Sequence, residues 1–237
     1  MWNSYRKGFL MHLQLEKSLS ANTIEAYALD LEKLIQFVLA TGIQGGPESL
    51  TLQHLQDYIK WITELGMSER SQSRIISGIK SFYRYCLQEQ ITHTDPTELL
   101  SSPKLKKVLP DTLTFEEIEN VISQIDLSKI EGVRNKAILE TLYSCGLRVS
   151  ELINLKISHL YLDIGFVRVI GKGDKERLIP IGSDAIKHIQ IYLKEIRVHM
   201  LIKKGNEDIL FLNRRGASLS RVMVFYIIKE LAFKAGI

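Results

Sequence analysis

Two cations in this sequence stand in settings where charge could act on a phosphate. Arg148 lies in the run Tyr143-Ser144-Cys145-Gly146-Leu147-Arg148-Val149-Ser150-Glu151-Leu152. Gly146 can end one helix in the left-handed conformation, and a second begins almost at once. Arg148 is therefore expected at a helix junction, in the first turn of the second helix, where backbone N–H groups also point toward any bound anion. Glu151, three positions on, shares its face and can hold the guanidinium in place. A guanidinium so held grips two oxygens of one phosphate; a plain Arg–Glu surface pair is the alternative. Lys172 lies in Gly171-Lys172-Gly173-Asp174-Lys175-Glu176-Arg177, on the expected tip of a hairpin. Glycine on both sides lets the backbone approach a ligand closely, and a lysine there can act as proton donor or point charge. A solvated turn fits the same residues. A phosphate-binding loop of the Gly-x-x-x-x-Gly-Lys-Ser/Thr type is rejected: Gly165 to Gly171 is one residue too long, and Gly173 stands where the hydroxyl residue belongs.

More cations gather on the stretch from Glu69 to Leu87. On a wheel of about 100° per residue, Arg70, Arg74, Lys80 and Arg84 share an arc of about 120°, with Ile75, Ile79, Phe82, Tyr83 and Cys86 opposite. Arg70/Arg74 and Lys80/Arg84 are like-charged i,i+4 pairs, which repel by roughly a few tenths of a kcal/mol. A phosphate backbone would relieve that repulsion; an ordinary basic surface helix is the other reading. The six histidines (His12, His54, His93, His159, His188 and His199) show no metal-ligand spacing, and no metal is expected. Glu116 and Glu117 fit the first turn of a helix better than a catalytic carboxylate pair. Cys86 and Cys145 lie far apart and are expected to be reduced, structural thiols.

The elements that must position these groups are mostly helices. Amphipathic patterns run from Tyr5 to Lys17, from the cap residues Ser20-Ala21-Asn22-Thr23 through Val38, from Thr51 to Leu65 and from Glu69 to Leu87. Gly45-Gly46-Pro47 interrupts them. Four such helices with short connections make a small helical domain over residues 1–100. The stretch Ser101 to Pro110, with two prolines, two serines and three lysines, reads as part of a linker over 101–113. Its lysines, Lys104, Lys106 and Lys107, either track a phosphate backbone or only keep the linker solvated. A second domain, 114–237, opens at a helix start, Thr114-Phe115-Glu116-Glu117. Helices are expected at Glu131–Cys145, Val149–Leu155, Ser183–Lys203 and Ser220–Ala235, with a β-hairpin formed by Gly165–Ile170 and Arg177–Pro180. The fold class is thus mainly α, with a small antiparallel sheet in the second domain.

The 237 residues are 45% hydrophobic and 24% charged, with a net charge of +4, as in a globular protein with a sizeable core. The mild positive charge permits a nucleic-acid partner without requiring one. No apolar run reaches the roughly 18 residues of a membrane span, and the start, MWNSYRKGF, does not lead into a signal peptide. A cytoplasmic location is expected.

These pieces, taken together, resemble a known family. Leu15-Glu16-Lys17-Ser18-Leu19-Ser20-Ala21-Asn22-Thr23, continuing to Tyr27 and Asp30-Leu31, looks like the opening helix of Xer-type tyrosine recombinases of the phage integrase family. Arg74 through Phe82-Tyr83-Arg84-Tyr85 resembles their DNA-facing helix. Gly146 to Leu152 resembles their first catalytic arginine motif, and Val169 to Arg177 their catalytic lysine hairpin. The similarity covers essentially the whole chain and leans toward the XerD branch.

The resemblance implies an N-terminal SAM-like DNA-binding domain and a mostly helical catalytic domain. It implies a tyrosine hydroxyl that attacks a DNA phosphodiester, leaving a 3′-phosphotyrosyl link and a free 5′-hydroxyl, with no cofactor. By position, Arg148 would be the first catalytic arginine, Lys172 the general acid for the departing 5′-oxygen, and Glu151 a supporting residue. The implied partners are a double-stranded DNA recombination site and a second recombinase, in a heterotetramer that resolves chromosome dimers. A mobile-element integrase, or a DNA-binding protein without catalysis, is the alternative. The family pattern continues with a His-x-x-Arg helix, a His or Trp and the nucleophilic tyrosine, none of which these residues contain. Tyr226, the last of nine tyrosines, sits in the apolar pattern of an expected helix and is not nominated. The sequence is accordingly expected to be a fragment or an early-terminated frame that binds DNA without cleaving it.

Overall fold

The computed structural model describes residues 2–105, 111–171 and 173–237. The expectations placed on Lys106, Lys107 and Lys172 lie outside the described residues. The chain divides into two compact units, Met1–Leu109 and Pro110–Ile237.

The first unit is built from α1 (Trp2–Leu15), α2 (Ala21–Thr41), α3 (Leu52–Glu64) and α4 (Glu69–Gln88). Side-chain oxygens set three of the starts. Ser20 accepts from the Thr23 N–H, Ser68 from Ser71, and Thr51 from His54, whose ring returns the bond to the Thr51 N–H. Caps of this kind contribute about 1 kcal/mol each. Gly42, at φ 70°, takes the left-handed conformation that ends α2, and Pro47–Ser49 forms one 3-10 turn. The apolar stripes close on a core of Phe9, Leu34, Tyr58, Phe82 and Tyr83, all without exposed surface. Burying a side chain of that size stabilises by roughly 1.5–3 kcal/mol. Leu100 is buried in the same core, so the unit extends to the edge of the Pro- and Lys-rich stretch.

The second unit contains α5 (Phe115–Ser123), α6 (Ile130–Cys145), α7 (Val149–Ile153), α8 (Ser183–Ile191) and α9 (Arg221–Lys234). Thr114 and Glu117 form the reciprocal cap expected of them at the start of α5. Three strands, β1 (Leu160–Tyr161), β2 (Phe166–Ile170) and β3 (Glu176–Pro180), make an antiparallel sheet in the order β1-β2-β3. Val167 and Val169 of β2 point into the core, which α6, α7 and α9 complete with Ile138, Leu152 and Val224.

Two features differ from the expected elements. The two-residue strand β1, paired through Leu160 and Val167, was not foreseen. The helix expected over 183–203 is regular only to Ile191; Tyr192–Ile196 widens into a π turn and Arg197–His199 tightens into a 3-10 turn. The cause is what Tyr192 and Arg197 must reach. The Tyr192 hydroxyl accepts from the Leu212 N–H at 3.2 Å, and Arg197 donates to the carbonyls of Ile209, Asn206 and Glu207. In a regular helix, residues five apart lie about 140° apart around the axis; the widened turn brings both to the side of the 206–212 segment.

Candidate functional site

Gly146, at φ 58°, ends α6, and the chain turns at once into α7. Arg148 occupies the cap position before α7 instead of its first turn, with φ −69° and ψ 148°. Its backbone N–H donates to Glu151 Oε2 at 2.8 Å. The side chains meet as well: Arg148 Nη1 lies 3.0 Å from Glu151 Oε1. The two partners differ sharply in exposure, 68% for the Arg148 side chain and 3% for that of Glu151. A carboxylate under the surface thus anchors an arginine whose head remains in solvent.

A third residue completes this cluster. Arg177, on β3, donates through Nη2 to both oxygens of Glu151, each at 2.9 Å. Burial by itself would raise the Glu151 pKa, but the Arg148 N–H, the Arg148 guanidinium and Arg177 together outweigh it, and the carboxyl stays below its ordinary range. Glu151 is therefore ionised at neutral pH, between two cations. Arg177 was not singled out in the sequence, where it reads as the first residue of the second hairpin strand.

The hairpin joining β2 and β3 closes through Gly171 N–H to Lys175 C=O at 2.8 Å. Gly173 at φ 73° and Asp174 at φ 55° both take the left-handed conformation a tight hairpin turn requires. Gly171 itself faces the cluster: a Cβ there would lie 3.5 Å from Glu151 Oε1. The base of the hairpin that carries position 172 is thus packed over the carboxylate that holds Arg148.

On α4, the apolar residues opposite the basic stripe are all buried, and Arg70 and Arg84 are exposed. Lys80 is half-buried. Arg74 departs from the reading of a uniformly positive face. Its Nη1 lies 2.6 Å from the carboxylate of Asp30 on α2 and also donates to the Ala26 carbonyl. Asp30 is fully buried, so Arg74 has an internal partner that offsets part of its repulsion with Arg70. Burial raises the Asp30 pKa, and Arg74 opposes that rise without cancelling it. The apolar spacing of α2 concealed Asp30 among core positions. Lys104, the described lysine of the linker stretch, is exposed.

Other charged groups serve the fold. Arg134 is buried and donates to the Leu212 carbonyl at 3.0 Å and to Asn135. The His12 ring is buried, with Nδ1 3.0 Å from the Glu16 carboxylate. Among the described residues, no cluster of His, Cys, Asp and Glu could hold a metal ion, and no helix is long and apolar enough to cross a membrane. Cys86 and Cys145 are buried free thiols; burial pushes Cys86 up to about 12 and Cys145 up as well. Tyr226 lies on the outer face of α9 and is 60% exposed, not in the core as its apolar surroundings in the sequence suggested.

Comparisons with known proteins agree across both units. Residues 111–237 match the Phage integrase family, and residues 7–90 match the Phage integrase, N-terminal SAM-like domain. A tyrosine recombinase XerD of Staphylococcus aureus is 41% identical over 229 residues, covering 97% of this chain and 77% of the relative. One from Staphylococcus epidermidis is 38% identical over 235 residues, covering 99% and 79%. In three dimensions, a lambda integrase dimer bound to a COC' core site superposes with a TM-score of 0.74 at 18% identity, covering 99% of this chain and 78% of that one. XerH site-specific recombinase bound to palindromic difH substrate gives 0.71 at 22% identity, covering 90% and 63%. These two likenesses concern the fold.

Proposed function

This chain belongs to the phage integrase family of tyrosine recombinases, and from that membership we propose that it acts in site-specific DNA recombination, with chromosome dimer resolution as the biological task. The observation that carries the site assignment is the Arg148–Glu151 pair, an exposed guanidinium on a buried carboxylate. In this reading Arg148 is the first catalytic arginine. It draws two phosphate oxygens of the scissile phosphodiester and stabilises the charge that grows on them as the phosphorus becomes five-coordinate. Glu151 sets its position. Lys172 is the general acid that protonates the departing 5′-oxygen. The reaction is a transesterification, so the phosphodiester energy passes into a phosphotyrosyl bond and no nucleotide or metal is consumed.

The partner is a duplex recombination site in the cytoplasm, occupied together with a second recombinase in a heterotetramer. Arg70, Arg84, Lys80 and the linker lysines Lys104, Lys106 and Lys107 contact its phosphates. Arg74 joins them only through the part of its head that Asp30 leaves exposed. The 237-residue polypeptide contains no His-x-x-Arg, and by itself it is expected to bind the duplex without cutting it.

Two measurements test this reading. Duplex affinity should fall with salt at a slope of about −0.9 per phosphate contact, and Arg70→Ala with Arg84→Ala should flatten that slope by about two contacts. An unchanged slope removes the stripe from the interface. Incubation with a nicked suicide substrate should yield no covalent DNA–protein adduct; an adduct would refute the expectation of binding without cleavage.

A further inference from the structure

The charges around Glu151 do not cancel. One buried carboxylate meets two guanidiniums, from Arg148 and Arg177, so the cluster keeps one net positive charge. The two contacts also differ in kind. Arg177 spans both oxygens at 2.9 Å, whereas the Arg148 side chain touches only Oε1, at 3.0 Å. The Arg148 head is the more exposed of the two, 68% against 43%. The carboxylate is thus held from both sides, by Arg177 across both oxygens and by Arg148 through its backbone N–H and its guanidinium.

We infer that Arg177 is a positioning residue for the phosphate site: by neutralising buried Glu151 it leaves the charge of Arg148 for a phosphodiester. This rests on the reading of Arg148 as a phosphate ligand. Without Arg177, the carboxylate has Arg148 as its one ion-pair partner among the described residues. A buried anion with one cation in reach draws it into a two-oxygen contact. The fork of Arg148 would then be turned inward and its charge cancelled. Arg177 also ties β3 to the start of α7. The packing of Gly171 against the same carboxylate places the base of the β2–β3 hairpin on that tie.

The experiment is equilibrium binding of the intact chain to a duplex across a salt series, with thermal unfolding to establish that each variant is folded. Arg148→Ala should lower the log–log slope by about 0.9, the value of one phosphate contact. Arg177→Gln should lower it by the same amount, and the double variant by no more than either single one. Arg177→Lys, which keeps the charge, should restore the slope. Removing the carboxylate as well, in Glu151→Gln with Arg177→Gln, should restore it too. Additive losses for the two arginines would mean that Arg177 touches DNA itself, and would overturn the inference. A loss in Arg177→Lys equal to that in Arg177→Gln would overturn it as well.

If Arg177→Gln does not fold, the same coupling is read in the Glu151→Gln background. There, loss of the Arg177 charge should change nothing; a further drop of one contact would overturn the inference. A slope lowered in Arg148→Ala but unchanged in Arg177→Gln overturns this inference and leaves the phosphate reading standing. An unchanged slope in Arg148→Ala overturns that reading, and this inference with it.

Discussion

Replacing Arg74 with alanine should destabilise the first unit, although the residue lies on the face assigned to DNA. Asp30 is fully buried, and Arg74 is its salt-bridge partner among the described residues, at 2.6 Å. Removing one member of a fully buried pair costs about 3–5 kcal/mol. The Arg74 side chain is 44% exposed, so solvent already screens part of the attraction, which reduces the cost to about 2 kcal/mol. Both tryptophans of the chain, Trp2 and Trp61, lie in this unit, so intrinsic fluorescence in urea follows its unfolding alone. With a slope of about 1.5–2 kcal/mol per molar, the midpoint should fall by about 1 M. Asp30→Asn in the Arg74→Ala background should recover part of the loss, because no charge is left stranded. The sign with pH is fixed as well. The Asp30 pKa is raised above 3.8, so the carboxyl takes up a proton in the folded state before the unfolded chain does. The deficit of Arg74→Ala should therefore shrink as pH falls through the folded-state value. A midpoint at pH 7 equal to that of the parent chain would refute the argument and return Arg74 to the set of side chains available to a phosphate.

Gly78→Ala should also destabilise the first unit, by about 1–3 kcal/mol, measured by the same fluorescence. Alanine in a helix interior normally gains close to 1 kcal/mol over glycine, but a Cβ at position 78 would lie 2.8 Å from Asp30 Oδ2, inside an ion pair with little room to move. For Glu151 the pH dependence has the opposite sign to that of Asp30. Its pKa is held below 4.5, so the stability it contributes is present above 4.5 and is lost as pH falls through the lower folded-state value. The melting temperature of the parent chain should exceed that of Glu151→Gln near neutrality, and the gap should close in acid. A constant gap from pH 7 to 3 would mean the carboxylate is not ion-paired. Cys86 and Cys145, both buried, should react with a thiol reagent only on unfolding. Rapid labelling in native buffer would show that one of them is accessible.

What the sequence disclosed depended on how local the cause was. Ser20 and Thr114 announce helix starts because a cap bonds within three residues, and both caps form. The buried face of α4 followed from its period, and Ile75, Ile79, Phe82, Tyr83 and Cys86 all face inward. Glu151 could be assigned to Arg148 because the two are three positions apart on one chain segment. Arg177 could not, since it lies 26 positions from Glu151 and only the folding of the sheet joins them. Asp30 and Arg74 are 44 positions apart for the same reason; a helical wheel shows which side a residue faces but not which residue faces back. The two-residue strand β1 is too short to leave an alternating pattern. The widened turn at Tyr192 answers to backbone groups in the 206–212 segment, beyond the reach of any local signal.

The sheet of the second unit ends in two unlike ways. At one margin stands β1, only two residues long; at the other stands β3, with Glu176 and Arg177 at its start and Pro180 at its end. Proline offers no N–H to a newcomer, and charged side chains resist being zipped against a neighbouring chain. Leu178, 62% exposed on that strand, would otherwise invite such pairing. Both features disfavour pairing of this margin with the sheet of another copy of the protein.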